Sequence, residues 1–377
     1  MDTIDQRFDA EEMALGIARW AACESPTSDA PAVNRMMDIV EADLAARELR
    51  AERIPGRDGL GDVLIVRAGP DNGQKPAIVL SHMDTVHPIG TLDRDLPVRR
   101  EGDRLYGPGV LDMKGGAFMG LTALADVARR GSAGRPVVYL FTPDEEVGSP
   151  TTRGLIEDVS RDAEFVLVTE PARPGGKLVT ARRGSGRYDV NLRGIPAHSG
   201  SGQDVGRSAI REAAHQILAV EALNDRELGI SATVGLMKGG SAANTIPENA
   251  WFKVDFRMTR PQDAPVLDHY VRSLQPTDPD VTIRVEGRIN RPPYEKTPAI
   301  AALHEKIRAI GETLGLVLDD IPLAGGGSDG NFPAAMGIAT IDGLGIEGAG
   351  GHTLEEYGII SSLATRTTLI ARLLEQL

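Results

Sequence analysis

Three short apolar runs in this 377-residue chain each end in side chains that can bind a cation or move a proton. His82-Met83-Asp84 follows the run 76–81, Asp144-Glu145-Glu146 follows 136–142, and Glu170 follows 164–169. Runs of this length read as buried strands of a parallel sheet. In an open α/β sheet, ligands bind at the carboxyl ends of the strands, so these residues are expected to converge. Two more candidates sit in glycine-rich turns: Asp112 after Tyr106-Gly107-Pro108-Gly109, and His352 after Glu347-Gly348-Ala349-Gly350-Gly351. Two imidazoles and three carboxylates suit a pair of divalent ions, zinc first, with manganese or cobalt as alternatives. The carboxylates bring three negative charges against four from the ions, and one shared Asp is the usual device for holding two ions close. Such a pair lowers the pKa of a shared water and polarises a carbonyl, which is the chemistry of amide hydrolysis. Glu145, beside Glu146, is the expected general base. Asp84, two residues from His82, is expected to orient that imidazole.

Taken singly, each residue has a plainer reading. A His-x-Asp pair is commonly a surface pair, an Asp-Glu-Glu run a solvated face, and an Asp near glycines a turn residue. Their joint fall on strand ends and glycine-rich loops favours the metal reading.

The elements that must carry these residues are of two styles. Helical patterns at 8–22, 31–47 and 114–130 alternate with the apolar runs, and the same style returns at 299–314, 337–341 (a strand) and 355–377. This predicts an α/β domain with a mainly parallel central sheet flanked by helices. Between about 184 and 291 the period changes to two: Tyr188, Val190, Leu192, then Phe252, Val254, Phe256, Met258, then Val281, Ile283, Val285. With helices at 204–223 and 263–274 and a strand at 231–237, the order is β-α-β-β-α-β, a ferredoxin-like α+β insertion. The expected division is a discontinuous catalytic domain, 1–183 and 292–377, and a lid domain, 184–291.

Composition removes several classes. Hydrophobic residues at 41% and charged residues at 25% are ordinary for a globular chain with a substantial core. A net charge of −13 argues against a nucleic-acid footprint. The single cysteine, Cys23, excludes an internal disulfide and any multi-thiolate metal site, and is expected to be a small buried residue on an N-terminal helix. The acidic N-terminus lacks a signal-peptide pattern and no run reaches membrane-spanning length, so a cytoplasmic, membrane-free protein is expected. A phosphate-cradling loop is a weaker reading, because Lys114-Gly115-Gly116 lacks the required spacing. A non-catalytic binding protein on the same scaffold would be expected to have lost a ligand or Glu145, and both are present.

The strings 81–86 (SHMDTV), 106–116 (YGPGVLDMKGG), 142–149 (TPDEEVGS) and 351–353 (GHT) resemble the signatures of the dinuclear zinc peptidase family that includes glutamate carboxypeptidase, acetylornithine deacetylase and succinyl-diaminopimelate desuccinylase. The resemblance spans almost the whole chain, in order. It implies Asp112 as the bridging ligand, with Glu146 and His352 completing one site and His82 and Glu170 the other. It also implies a cis Asp112-Met113 peptide and a homodimer formed through the lid. His198 resembles the family's lid histidine, a donor to the tetrahedral oxyanion, often from the partner subunit, and Asn244 resembles the lid asparagine near the scissile carbonyl. Arg257 is implied as the grip on a substrate carboxylate. The loop at Gly326, Gly327 and Ser328 is implied in substrate binding, with Arg182 and Arg183 as weaker candidates. Read alone, His198 and Asn244 are loop and turn residues and Arg257 a solvent-facing sheet residue. Glu at 170 resembles the carboxypeptidase and deacylase branches more than the aminopeptidase ones, and the strings 291–295 and 325–329 resemble the glutamate carboxypeptidase group. The expected reaction is release of a C-terminal amino acid, an acidic one among the options, from an N-acyl or peptidyl substrate with a free carboxylate. The alternative is N-acyl amino acid deacylation or hydrolysis of another small amide.

Overall fold

The computed structural model describes residues 7–377. The described residues divide into two compact units, one running up to 181 with 296–324 and 328–377, the other of 182–295 with 325–327. The smaller unit thus takes in three glycines, Gly325 to Gly327, that lie outside the expected lid range.

The larger unit is built on a six-stranded sheet. Its strand order is Ala51–Ile54, Val63–Ala68, Val137–Thr142, Ala77–His82, Phe165–Val168, Ala339–Ile341. The last four run parallel, and the first two are antiparallel additions at one edge. The central strand Ala77–His82 is buried at every position, because helices cover parallel sheets on both faces. Val63, Ile65, Ile78, Leu80, Leu140, Val166 and Phe332 form one core cluster. The helix Gly115–Arg130 is buried over most of its length and packs on Leu363–Gln376. Helix starts follow capping chemistry. Asp9 accepts from two first-turn N–H groups, and Asp29 and Thr297 each cap a helix with proline in its first turn.

A second sheet in this unit orders Gly348–Ala349, Tyr357–Ile359, Arg104–Tyr106 and Arg99–Glu101. It corrects the expected helix 355–377, which begins only at Leu363. Residues 357–359 carry apolar spacing compatible with a helix, yet they pair with 104–106, so a long-range partner overrides the local period. This sheet brings the loop 350–356 beside the loop 107–114.

The smaller unit has a four-stranded antiparallel sheet in the order Ser231–Gly239, Asn249–Met258, Gly184–Arg193, Thr282–Arg291. With helices Ala209–Glu221 and Asp263–Arg272 this is the ferredoxin-like pattern. Tyr188, Val190, Leu192, Phe252, Val254 and Phe256 face those helices in one core, while alternate residues stay outside. Among the described residues, no helix is long and apolar enough to cross a membrane.

Candidate functional site

The parallel strands set the site. Ala77–His82 lies between Val137–Thr142 and Phe165–Val168, with His82 opposite Thr142. The three carboxyl ends therefore lie together, and His82, Glu145, Glu146 and Glu170 follow from them. Asp112 comes from the loop 107–114, where the backbone leaves helical geometry at Asp112 and Met113 and the peptide between them is cis. His352 sits in the hairpin loop between Gly348–Ala349 and Tyr357–Ile359 with φ of 65°, a left-handed conformation in which His is enriched.

Asp112 stands between the two imidazoles. Its Oδ1 is 3.1 Å from His82 Nε2 and its Oδ2 is 3.2 Å from His352 Nε2. His352 Nε2 is also 3.2 Å from Glu146 Oε2, and His82 Nε2 is 3.7 Å from Glu170 Oε1. Among the described residues, two triads have the spacing to hold an ion, His82-Asp112-Glu146 and His82-Glu145-Glu170, with donor atoms within 4.8 Å of one another in each. Glu145 thus falls among the possible donors as well as beside them.

The electrostatics call for positive charge. Burial alone would lower the His82 pKa, but its contacts with Asp112 and Asp84 outweigh that and hold it well above the ordinary imidazole value. Contacts with Asp112 and Glu146 push His352 up to about 11. Burial works to raise the Asp112 carboxyl, yet His352 and His82 hold it far below the usual carboxylate range. Burial raises Glu146. Two imidazoles thus face a cluster of acidic side chains, an arrangement in which divalent ions would offset the negative charge. Glu146 Oε1 is buried with no hydrogen-bond donor, although buried polar atoms are nearly always paired. An imidazole and carboxylate donor set and an unmatched carboxylate oxygen fit a divalent cation.

A second ring of contacts orients this cluster. His82 Nδ1 is 3.0 Å from the Asp84 carbonyl and 3.3 Å from Asp84 Oδ1, which turns Nε2 toward Asp112. The buried Asp84 carboxylate also accepts from the Glu145 N–H at 3.2 Å, the Glu146 N–H at 3.1 Å and the Thr27 hydroxyl at 2.6 Å. Thr27 was not among the sequence candidates. Its segment is stitched to the residues just after Ala77–His82, with Ser25 Oγ donating to the Met83 carbonyl and the Thr85 N–H to the Ser25 carbonyl. The clue in the sequence is the polar string Glu24-Ser25-Pro26-Thr27 after a helix, but nothing local names its partner. Cys23 is half-buried just past that helix, and burial raises its thiol pKa.

In the smaller unit, His198 and Asn244 are brought together. Ala197–His198 pairs with Thr245–Ile246, and the Ser199 N–H donates to the Asn244 carbonyl at 3.0 Å. His198 is exposed, and its Nδ1 accepts from the Gly200 N–H at 3.1 Å. The neutral ring therefore carries its proton on Nε2, as a donor. Arg257 lies on the outer face of its strand, forked onto Asp255 at 2.6 and 3.1 Å. Any substrate carboxylate must compete with that internal one. Arg182 is buried and donates to the Gly326 and Gly327 carbonyls at 3.1 and 3.4 Å, so it shapes that loop. A Cβ on Gly327 would come within 2.5 Å of Arg291 Cδ, which is why glycine stands there. Ser328, in the larger unit, differs from the expectation of a substrate contact. It is fully buried, its hydroxyl donates to Asp342 at 2.6 Å and its N–H to Asn331 at 2.9 Å, so it anchors the loop's exit.

Residues 78–376 match the model of Peptidase family M20/M25/M40. Carboxypeptidase G2 of Pseudomonas sp. (strain RS-16) is 30% identical over 365 residues, 94% of this chain and 86% of that one. Acetylornithine deacetylase of Myxococcus xanthus is 29% identical over 239 residues, 59% of this chain and 61% of that one. Among solved structures, aminopeptidase PepT from Bacillus cereus superposes with a TM-score of 0.79 at 19% identity, covering 97% of this chain and 98% of that one. The M20 family metallo-carboxypeptidase Sso-CP2 from Sulfolobus solfataricus gives 0.75 at 15%, covering 98% and 99%. At such identities the likeness concerns the fold. The family match covers most of the chain, so the protein belongs to Peptidase family M20/M25/M40, whose members are metal-dependent hydrolases of amide bonds.

Proposed function

We propose that this chain is a two-metal amidohydrolase of the glutamate carboxypeptidase kind, releasing a C-terminal amino acid, an acidic one among the options, from an N-acyl or peptidyl substrate. The observation that carries the reading is the Asp112 carboxylate between His82 and His352, one oxygen toward each. Asp112 is assigned as the shared ligand, Glu146 and His352 to one ion, His82 and Glu170 to the other. Zinc is the favoured metal, with manganese or cobalt as alternatives. When bound, the ions lower the pKa of a shared water and polarise the scissile carbonyl. Glu145 takes the proton of the attacking water on its carboxylate and delivers it to the leaving nitrogen. Asp84 keeps the His82 ring turned and fixes the Glu145-Glu146 backbone. His198, with its proton on Nε2, and Asn244 are proposed as donors to the developing oxyanion. Arg257 and the Gly326-Gly327 loop are proposed to receive the substrate carboxylate, and the lid to form a homodimer.

Similarity to Carboxypeptidase G2 over most of both chains favours the carboxypeptidase reading. The partial match to an acetylornithine deacetylase supports N-acyl amino acid deacylation as the alternative. A substrate panel of aryl-glutamates, dipeptides and N-acyl amino acids, run with metal analysis, separates them. About two divalent ions per chain are expected, with turnover highest on substrates ending in a free α-carboxylate. Absence of bound metal under reconstituting conditions would refute the reading.

A further inference from the structure

We infer that Glu356 is a positioning residue that holds the Asp112 loop and the His352 loop in register, and so sets the spacing of the two metal sites; this rests on the two-metal reading above. Glu356 is 1% exposed, and its carboxylate receives four donors. Oε1 accepts from the Leu111 N–H at 2.8 Å and the Asp112 N–H at 2.9 Å. Oε2 accepts from the Gly109 N–H at 3.2 Å and from His87 Nε2 at 2.8 Å.

The need for such an acceptor lies in the loop's shape. Asp112 and Met113 leave helical geometry, so the loop's N–H groups must find acceptors outside a regular helix. Glu356 supplies one in the form that binds N–H groups best, a buried carboxylate. Its own backbone is fixed on the other side. Tyr357 pairs with Tyr106, at the entry to the Asp112 loop. Gly350 turns with φ of 81°, and a Cβ there would come within 2.6 Å of the Glu355 carbonyl and 3.0 Å of the Glu356 nitrogen. The hairpin loop bearing His352 is thus wound tightly against Glu356. One carboxylate joins the backbone of Asp112 to the hairpin that carries His352, and the two side chains meet at 3.2 Å. Glu356 acts through backbone N–H groups and the fold of the hairpin.

A glutamine has the same shape but only one acceptor oxygen. In Glu356→Gln at least one pair of donors faces an NH2 group. Partners one step removed from a metal typically change its affinity about 10- to 100-fold when altered. The test uses the full chain, stripped of metal and titrated with Zn2+ against a chromogenic chelator, together with hydrogen exchange of the metal-free protein over residues 107–114. Two binding events are expected for the unaltered chain. Because Asp112 is the proposed shared ligand, Glu356→Gln should weaken both events, by about 10- to 100-fold at the one that also uses His352 and by less at the other, and speed exchange at Leu111 and Asp112. His87→Asn removes a donor without touching the Asp112 amide. It should weaken the same events less, and it carries the test if Glu356→Gln does not fold. Unchanged exchange at 111 and 112, or two unchanged binding events, would overturn the inference. So would a greater loss at the event that does not use His352. If the unaltered chain binds no Zn2+, the two-metal reading fails, while the exchange measurement still decides whether Glu356 holds the loop.

Discussion

Asp84→Asn gives a sharp test of how the proposed metal ligands are held. The Asp84 carboxylate is wholly buried and serves the site on both oxygens. Oδ1 takes the Glu145 N–H and faces His82 Nδ1, while Oδ2 takes the Glu146 N–H and the Thr27 hydroxyl. Asparagine keeps the shape but turns one oxygen into an NH2 group. If that group replaces Oδ2, the Thr27 hydroxyl can rotate to accept, but the Glu146 N–H loses its acceptor. If it replaces Oδ1, the Glu145 N–H is orphaned and the NH2 points at His82. Either way one donor of the Glu145-Glu146 backbone is left unmatched in a buried place. An unsatisfied buried group costs about 1–3 kcal/mol. If that strain is relieved by letting the turn shift, metal affinity falls about 5- to 150-fold, at about 1.4 kcal/mol per decade. Chelator competition measures the affinity directly, and steady-state kinetics at saturating metal should show kcat falling more than KM rises. A variant that binds both ions with unaltered affinity and turns over within about twofold of the parent would refute the argument that this carboxylate positions Glu145 and Glu146.

Three other outcomes are expected. Glu145→Gln should keep its bound metal and lose about 10^2- to 10^4-fold in kcat, the usual contribution of a positioned general base; retained turnover would remove Glu145 from that role. Gly116→Ala should lower the thermal midpoint, because the added Cβ would come within 1.8 Å of the Thr169 carbonyl oxygen, and overpacking of this kind costs about 1–3 kcal/mol. It should also weaken metal binding, since Glu170 follows Thr169, and an unchanged midpoint would contradict the close helix-strand approach. In the smaller unit, burial works to raise the Glu212 pKa, but the Thr277 hydroxyl, Gln216 and two N–H groups outweigh it and hold the carboxyl below its ordinary value. The folded-state pKa is depressed, so its stabilisation is present above the unfolded value of about 4.3 and is lost as pH falls through the folded value. Urea unfolding should find Glu212→Gln less stable than the parent at pH 7, with the gap narrowing in acid; a gap constant with pH would rule out the ionised form as the acceptor.

The parts of the site that were legible in the sequence share one physical cause. His82 closes one strand, and Glu146 and Glu170 come after two others, all buried on both faces, and such strands read as unbroken apolar runs that announce where they stop. The period-two alternation of 184–193 and 249–258 likewise revealed a sheet with one covered face. The pieces that escaped depend on partners far along the chain. Ala51–Ile54 alternates only weakly and is held as an edge strand by Val63–Ala68, itself antiparallel to its other neighbour, Val137–Thr142. Tyr357–Ile359 has a helix-compatible spacing and becomes a strand because Arg104–Tyr106 lies beside it. Thr27 reaches Asp84 across 57 positions, and Glu356 reaches Asp112 across 244. The division follows from the chemistry of the two layers. Residues proposed to touch the ions must end on the sheet's edge, and local pattern marks that edge. The residues that aim them need only offer one hydrogen bond in the right place, and any element passing nearby can supply it. Mutations confined to the proposed ligands would therefore test the ligands and leave their aim untested. Asp84 and Glu356 are where the two layers meet, one behind His82 and the Glu145-Glu146 turn, the other behind Asp112 and the His352 hairpin. Combining Asp84→Asn with Glu356→Gln in a double-mutant cycle would show whether the two supports are coupled through the shared Asp112. Because Asp112 contacts both imidazoles, the metal-affinity losses should be non-additive, whereas strict additivity would mean that the two halves of the centre are aimed independently.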